Sequence, residues 1–164
     1  MRGFRANWLD WGGQDFEGVL RYAEAHFPGS PIQVVAHSVG GLLVGLAPSS
    51  HRVQRVFAMG SQFAYWPDYA ARRRLPMYLR WHIAMPLITA LFGYFPGKRL
   101  GWLEDTPRGI VQDWNAASPR LEQTWQRDAR LATPAQQQAL LENYARVSAD
   151  WLALTVTDDP FGTE

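Results

Sequence analysis

Apolar residues follow two rhythms along the chain. From Trp11 to Phe27 they recur at three- and four-residue steps, at Phe16, Val19, Leu20, Ala23 and Phe27. Asp10 is placed to cap this run and Pro28-Gly29 to end it, which predicts an amphipathic helix. The segments "IQVVA" (Ile32 to Ala36), "RVQRVFAMG" (Arg52 to Gly60) and "WLALTV" (Trp151 to Val156) are short and apolar on both faces. That is the pattern of parallel strands covered by helices. Between the first two, Val39 to Leu46 returns to helical spacing until Pro48. The expected class is α/β, with central parallel strands and flanking helices.

About ninety residues, Ser61 to Asp150, separate the second and third strand candidates, where a crossover needs only about a dozen. A largely helical insertion is expected there. It holds a helix or helix pair from Tyr69 to Phe92 interrupted by Pro76 and Pro86, and the aromatic, glycine-rich "GYFPGKRLGWLEDTPRG". A short helix from Pro107 to Trp114 and another from Ala135 to Val147 complete it.

Composition narrows the field. The 164 residues, 47% hydrophobic and 19% charged, suit one globular domain burying about 70% of its unfolded surface. Sixteen basic residues against fifteen acidic ones, dispersed along the chain, give no general pull toward nucleic acid. The absence of cysteine excludes disulfides, Cys-ligated zinc and a Cys nucleophile. "MRGFRANWLDWGG" has no continuous apolar core of a secretory signal, so a cytoplasmic location follows by default. The longest apolar run, Ile83 to Phe95, is broken by Pro86, Thr89 and Gly93 and falls short of the roughly 20 residues of a spanning helix.

The chemistry centres on "VVAHSVGGLLVGLAP". A serine on a sharp turn between strand and helix needs small neighbours, because the backbone there is strained and other chain segments approach closely. Ala36-His37-Ser38-Val39-Gly40 meets that need, with Gly41 doubling the glycine. Ser38 is the candidate nucleophile, and the Val39 N–H, at the start of the following helix, the candidate oxyanion donor. The plainer alternative makes Ser38 a helix N-cap. Successive side chains at a strand end point opposite ways, so His37 is expected to face away from Ser38 and to serve packing.

These residues, the helical insertion and the terminal "LALTVTDDPFGT" resemble the α/β-hydrolase superfamily, specifically a bacterial group of serine hydrolases related to serine aminopeptidases and lysophospholipase-like esterases. "AMPLITALFGYFPGKRLGWLEDTPRGIV" is similar to that group's cap. The resemblance implies a partial α/β-hydrolase core at residues 1–60 and 151–164 with a helical cap at 61–150. It implies hydrolysis of a small-molecule ester or amide through an acyl-enzyme, without metal or organic cofactor. In its chain order of Ser, then Asp or Glu, then His, Asp159 is the acid, followed by Pro160 and Phe161. Asp158 is the alternative acid, and an Asx turn is the plainer reading of either.

No histidine follows Asp159. His26, His51 and His82 precede it and are read as surface or packing residues, although a cap residue such as His82 overhangs the site. No early strand carries the second oxyanion donor. Losing that donor costs on the order of 10²–10³ in rate, and losing the base on the order of 10⁶. Ile32 to Ala36 is expected to form a bare apolar sheet edge, which natural proteins avoid. The chain is therefore expected to be an internal portion of a longer protein, weakly active or inactive by itself, with a non-catalytic remnant or binding module as the alternative. In "ARRRLPMYLRWHIAMPLITALF", Arg72, Arg73, Arg74 and Arg80 adjoin an apolar stretch. The reading preferred is a solvated basic turn leading into a helix over the site, favouring an apolar substrate moiety. The other is a lid touching a membrane surface.

Overall fold

The structure, a computed structural model, describes residues 1–62, 64–126, 133–159 and 161–162. The first helical unit runs without a break through α1 (Trp8–Asp10), a π-helical turn (Trp11–Phe16) and α2 (Glu17–His26). Its cap is Asn7 and not Asp10. Asn7 Oδ1 accepts from the Asp10 N–H at 2.9 Å while Asp10 Oδ2 accepts from the Asn7 N–H at 3.0 Å, a reciprocal capping box. The wide turn at Gly12-Gly13 shifts the helical phase. Trp8, Gly12, Glu17 and Leu20 are the residues turned inward, while Val19 and Phe27, expected on the apolar face, are exposed.

Three parallel strands, β1 (Ile32–His37), β2 (Val53–Met59) and β3 (Asp150–Leu154), form one sheet in the order β1-β2-β3. The ladder aligns Ala36, Ala58 and Ala153 across it, and Val35, Phe57 and Leu152 in the next row. Leu20 of α2, and Val44 and Ala47 in and after α3 (Gly40–Val44), pack with Ala36, Val53, Val56 and Ala58 on one face. The strands were expected to be covered on both faces. No described element covers the second face, where Val35 is 74% and Leu152 66% exposed. β1 is an edge of this sheet.

After β2 come a 3₁₀ turn (Trp66–Asp68), α4 (Ala71–Tyr78), a π-helical segment (Leu79–Ala84) and α5 (Met85–Phe92). These last three are one continuous rod, not a pair of helices broken at the prolines. Pro76 sits inside α4 and Pro86 within the first turn of α5. A proline clashes with the carbonyl one α-turn back, and the wide π turn ahead of Pro86 accommodates that clash without ending the helix. The short α6 (Gly97–Leu100), α7 (Arg108–Ala116), α8 (Leu121–Gln126) and α9 (Pro134–Ala145) follow.

Two further apolar clusters join these pieces. One is Tyr69, Met77, Trp81, Met85, Phe95 and Val111. The other brings Trp8 and Leu46 together with Ile110, and with Leu140 and Tyr144 of α9. The Trp8 N–H donates to Asp113 Oδ2 of α7 at 2.7 Å. The first helical unit and the inserted helices thus share one packed cluster.

Glu17 and Asp113 are the buried carboxylates among the described residues. The Glu17 carboxylate accepts from the Ser49 N–H at 2.8 Å, from Ser49 Oγ at 2.8 Å and from Arg21 Nε at 2.6 Å, tying α2 to the loop before β2. Burial alone would raise its pKa, but the hydrogen bonds from Arg21 and Ser49 outweigh it and hold the carboxyl below its ordinary 4.5. A carboxyl lowered on folding contributes stability that is present above its unfolded value and lost as pH falls through the folded one. Glu17→Gln is expected to cost about 1–2 kcal/mol at neutral pH. Denaturation midpoints of variant and wild type, compared across acid pH, should converge below pH 4.5.

Candidate active site at the strand ends

Ser38 has φ +53°, one of two described non-glycine residues with positive φ, the other being Ala64. An L-residue in this left-handed conformation costs about 1–2 kcal/mol, so the surroundings must impose it. The Ser38 N–H donates to Met59 O at 3.0 Å, which carries the β1–β2 ladder one residue past β1. The chain then reverses into α3. The N-cap of α3 is Val39, with no side-chain cap hydrogen bond, so Ser38 is not the helix cap. α3 is a single short turn ending at Val44, shorter than the helical spacing to Leu46 predicts.

The two glycines are not equivalent. A Cβ on Gly41 would lie 2.4 Å from Ser61 Oγ and 2.7 Å from Ser61 Cβ, so α3 seats on the chain leaving β2 only because Gly41 has no side chain. A Cβ on Gly40 would meet Ala36 Cβ at an ordinary 3.7 Å. Ala36 is itself buried beneath the turn.

Beyond β3, the chain turns tightly. The Asp159 N–H donates to Val156 O at 3.3 Å and the Gly162 N–H to Asp159 O at 3.1 Å. Asp159 Oδ1 accepts from the Phe161 N–H at 2.8 Å, an Asx turn. A Cβ on Gly60, at the end of β2, would lie 3.9 Å from Asp159 Oδ2. The Gly60 N–H donates to Leu154 O at 2.8 Å. Hydrogen bonds thus fasten the ends of three neighbouring strands, and at these carboxyl ends, where open α/β sheets bind ligands, lies a cavity of about 310 Å³.

Ser38 and Asp159 both line that cavity. Its apolar walls are Ala64, Trp81, Trp102, Leu103, Trp114 and Phe161. Trp81 and Trp114 meet with ring centroids 5.2 Å apart. The Arg80 guanidinium stacks 5.0 Å from the Trp102 ring and 4.9 Å from that of Phe161, bridging the inserted helices to the Asp159 turn. Gln62 makes a second bridge, donating from Nε2 to Phe161 O at 2.5 Å and accepting from Tyr69 Oη at 3.1 Å. Burial pushes the Tyr69 hydroxyl above its ordinary value, against the opposing hydrogen bond to Gln62.

Asp158 is exposed and does not line the cavity; Pro160 lies outside the described residues. His37 also lines the cavity beside Ser38. His26 stacks on Tyr22, with Nδ1 2.9 Å from Tyr22 O, and His51 Nδ1 lies 3.3 Å from Pro48 O. His82 Nδ1 lies 2.9 Å from Asn115 Oδ1, and its ring leans on Tyr78. None of these three lines the cavity. The walls at Gln62, Trp81, Trp102 and Trp114 were not picked out from the sequence. They come from four separate segments, and the only signal was the high tryptophan content of the insertion. Among the described residues no group of three or more His, Asp or Glu is placed to hold a metal ion.

A parallel sheet with a serine on a strained strand-to-helix turn, under inserted helices, defines the α/β-hydrolase class. The chain matches the alpha/beta hydrolase family over residues 1–164 and belongs to it. The family implies hydrolase-type chemistry on small-molecule substrates. No curated protein and no solved structure matches the chain.

Two stability comparisons probe the turn. Ser38→Gly should exceed Ser38→Ala in unfolding free energy by about 1 kcal/mol, since only glycine occupies the left-handed region without strain. Gly41→Ala should cost about 1–3 kcal/mol by overpacking against Ser61, whereas Gly40→Ala should stay within about 0.5 kcal/mol of wild type. Chemical denaturation of the four variants checks both.

Proposed function

We propose that the cavity is a serine hydrolase site acting on an ester or amide with an apolar moiety through an acyl-enzyme. The observation that carries this reading is Ser38, held at φ +53° and lining one cavity with Asp159 and three tryptophans. Ser38 Oγ attacks the substrate carbonyl carbon, the bond to the leaving group breaks, and the leaving group takes up the proton. Water then releases the acyl group as an acid. The Val39 N–H, at the first turn of α3, is the donor to the oxyanion. Asp159 is the acid that orients a histidine in this class. The aromatic walls suit an apolar acyl or alcohol portion. That is weak support for an ester over a peptide.

No histidine follows Asp159 in the sequence, and removing the base from such a site costs on the order of 10⁶ in rate. The reading for this chain by itself is weak or no turnover, with the cavity left to bind. His37, which shares the cavity with Ser38, offers a second reading as a substitute base.

The test separates labelling from turnover. Incubation with a fluorophosphonate, followed by intact mass measurement and peptide mapping, is expected to place any adduct on Ser38 and none in Ser38→Ala. An adduct that persists in Ser38→Ala would overturn the assignment of the nucleophile. Labelling that is lost in His37→Ala would make His37 the base, and labelling unchanged there would leave it a wall residue. A folded chain that neither labels nor hydrolyses aryl esters would leave a non-catalytic binding module.

A further inference from the structure

The rod formed by α4, the π-helical segment and α5 carries two parallel ridges. Met77, Trp81, Met85 and Thr89 form the inner one and are buried. Leu75, Leu79, Ile83, Leu87 and Leu91 form the outer one, also at steps of four, and are 43–81% exposed. In a regular α-helix a four-residue step rotates about 40° around the axis, because a turn takes 3.6 residues. Such a stripe would wind off the surface. The wide turn at Leu79–Ala84 counters that drift, and all five aliphatic side chains stay exposed. Soluble proteins rarely leave so continuous an apolar surface without a use for it.

Charge identifies what the stripe faces. Between Tyr69 and Leu103 there is no Asp or Glu, while Arg72, Arg73, Arg74, Arg80, Lys98 and Arg99 lie in that interval. The chain as a whole is only +1, so this segment is a local exception to an otherwise dispersed charge and leaves the rest net acidic. Arg80 is occupied by the rings of Trp102 and Phe161, Arg74 donates to Tyr69 O at 3.0 Å, and Lys98 pairs with Glu104. Arg72 and Arg73, at the N-terminal end of the stripe, and Arg99 are exposed. No described helix is long and apolar enough to cross a membrane. A basic helix with a leucine face and no acidic residue has the composition of a segment that lies in the plane of a lipid surface.

We infer that the outer ridge from Leu75 to Leu91 docks on an anionic lipid surface, with Arg72 and Arg73 at the headgroups and the leucines at the acyl boundary. The inference is independent of hydrolysis at Ser38. It places the inner ridge, which includes the cavity wall Trp81, directly beneath the lipid-facing one, so that a docked cap would set the cavity close to the membrane.

Co-sedimentation with vesicles tests it. Wild type is expected to pellet with vesicles of phosphatidylcholine containing phosphatidylglycerol, to bind pure phosphatidylcholine less, and to be released by high salt. Arg72→Gln and Arg73→Gln should each weaken binding about fivefold. Leu79→Gln with Leu87→Gln should weaken it by on the order of tenfold or more. All four positions are exposed, so thermal melts are expected to match wild type. Wild type remaining in the supernatant with both vesicles, or binding that survives the double leucine substitution, would overturn the inference. So would sedimentation velocity showing vesicle-free oligomers that the leucine substitutions dissociate, since the ridge would then be an interface between copies of the chain.

Discussion

The reversal at Ser38 is the constraint on which the arrangement turns. A residue that prefers φ below zero is held at φ +53°, and the forces that hold it come from elsewhere in the fold. The β1–β2 ladder captures its N–H, and α3 is pressed onto Ser61 at the one position where no side chain intervenes. Strain of about 1–2 kcal/mol is offset by packing under α3, where Val44 and Ala47 join the sheet core. The result is a hydroxyl-bearing side chain at the carboxyl end of the sheet, on the wall of a cavity, where a regular strand would alternate past it.

The other side of the cavity is organised around Phe161. Its N–H is taken by Asp159, its carbonyl by Gln62, and its ring by Arg80 and the cluster around Trp81. The turn after β3 is therefore fastened to the inserted helices as well as to the sheet. Displacement of the insertion would move Trp102, Trp81 and the Asp159 turn together. The geometry of the site is in this sense a property of the interface between sheet and insertion.

The insertion also reaches α3. Tyr144 of α9 donates from its buried hydroxyl to Leu42 O, and a side chain on Gly45 would collide with its ring. Burial pushes that hydroxyl well above the ordinary tyrosine value. α9 thereby braces α3, and this short helix takes its stability from contacts with the sheet and with α9 and not from its own length.

Much of this was legible in the sequence, and the division has a physical cause. The three strands, their parallel α/β class, the helices between β2 and β3 and the strand-to-helix turn at Ser38 were readable because each rests on local patterning: β-branched runs, small residues around a turn, helical spacing. Asp159 was readable as a position after a strand. Hidden from the sequence were the Asn7 cap and the two π turns, because helical phase is set by what the helix packs against: Gly12 against Leu46, Pro86 against its preceding turn. Hidden too were the roles of Gly40 and Gly41, alike in the sequence and different in space. By itself the sequence determined which segments are strands and helices and which serine sits between them. Only the tertiary structure decided which side chains share the cavity and which ridge of the long rod faces out, because these follow from long-range packing that no local pattern encodes.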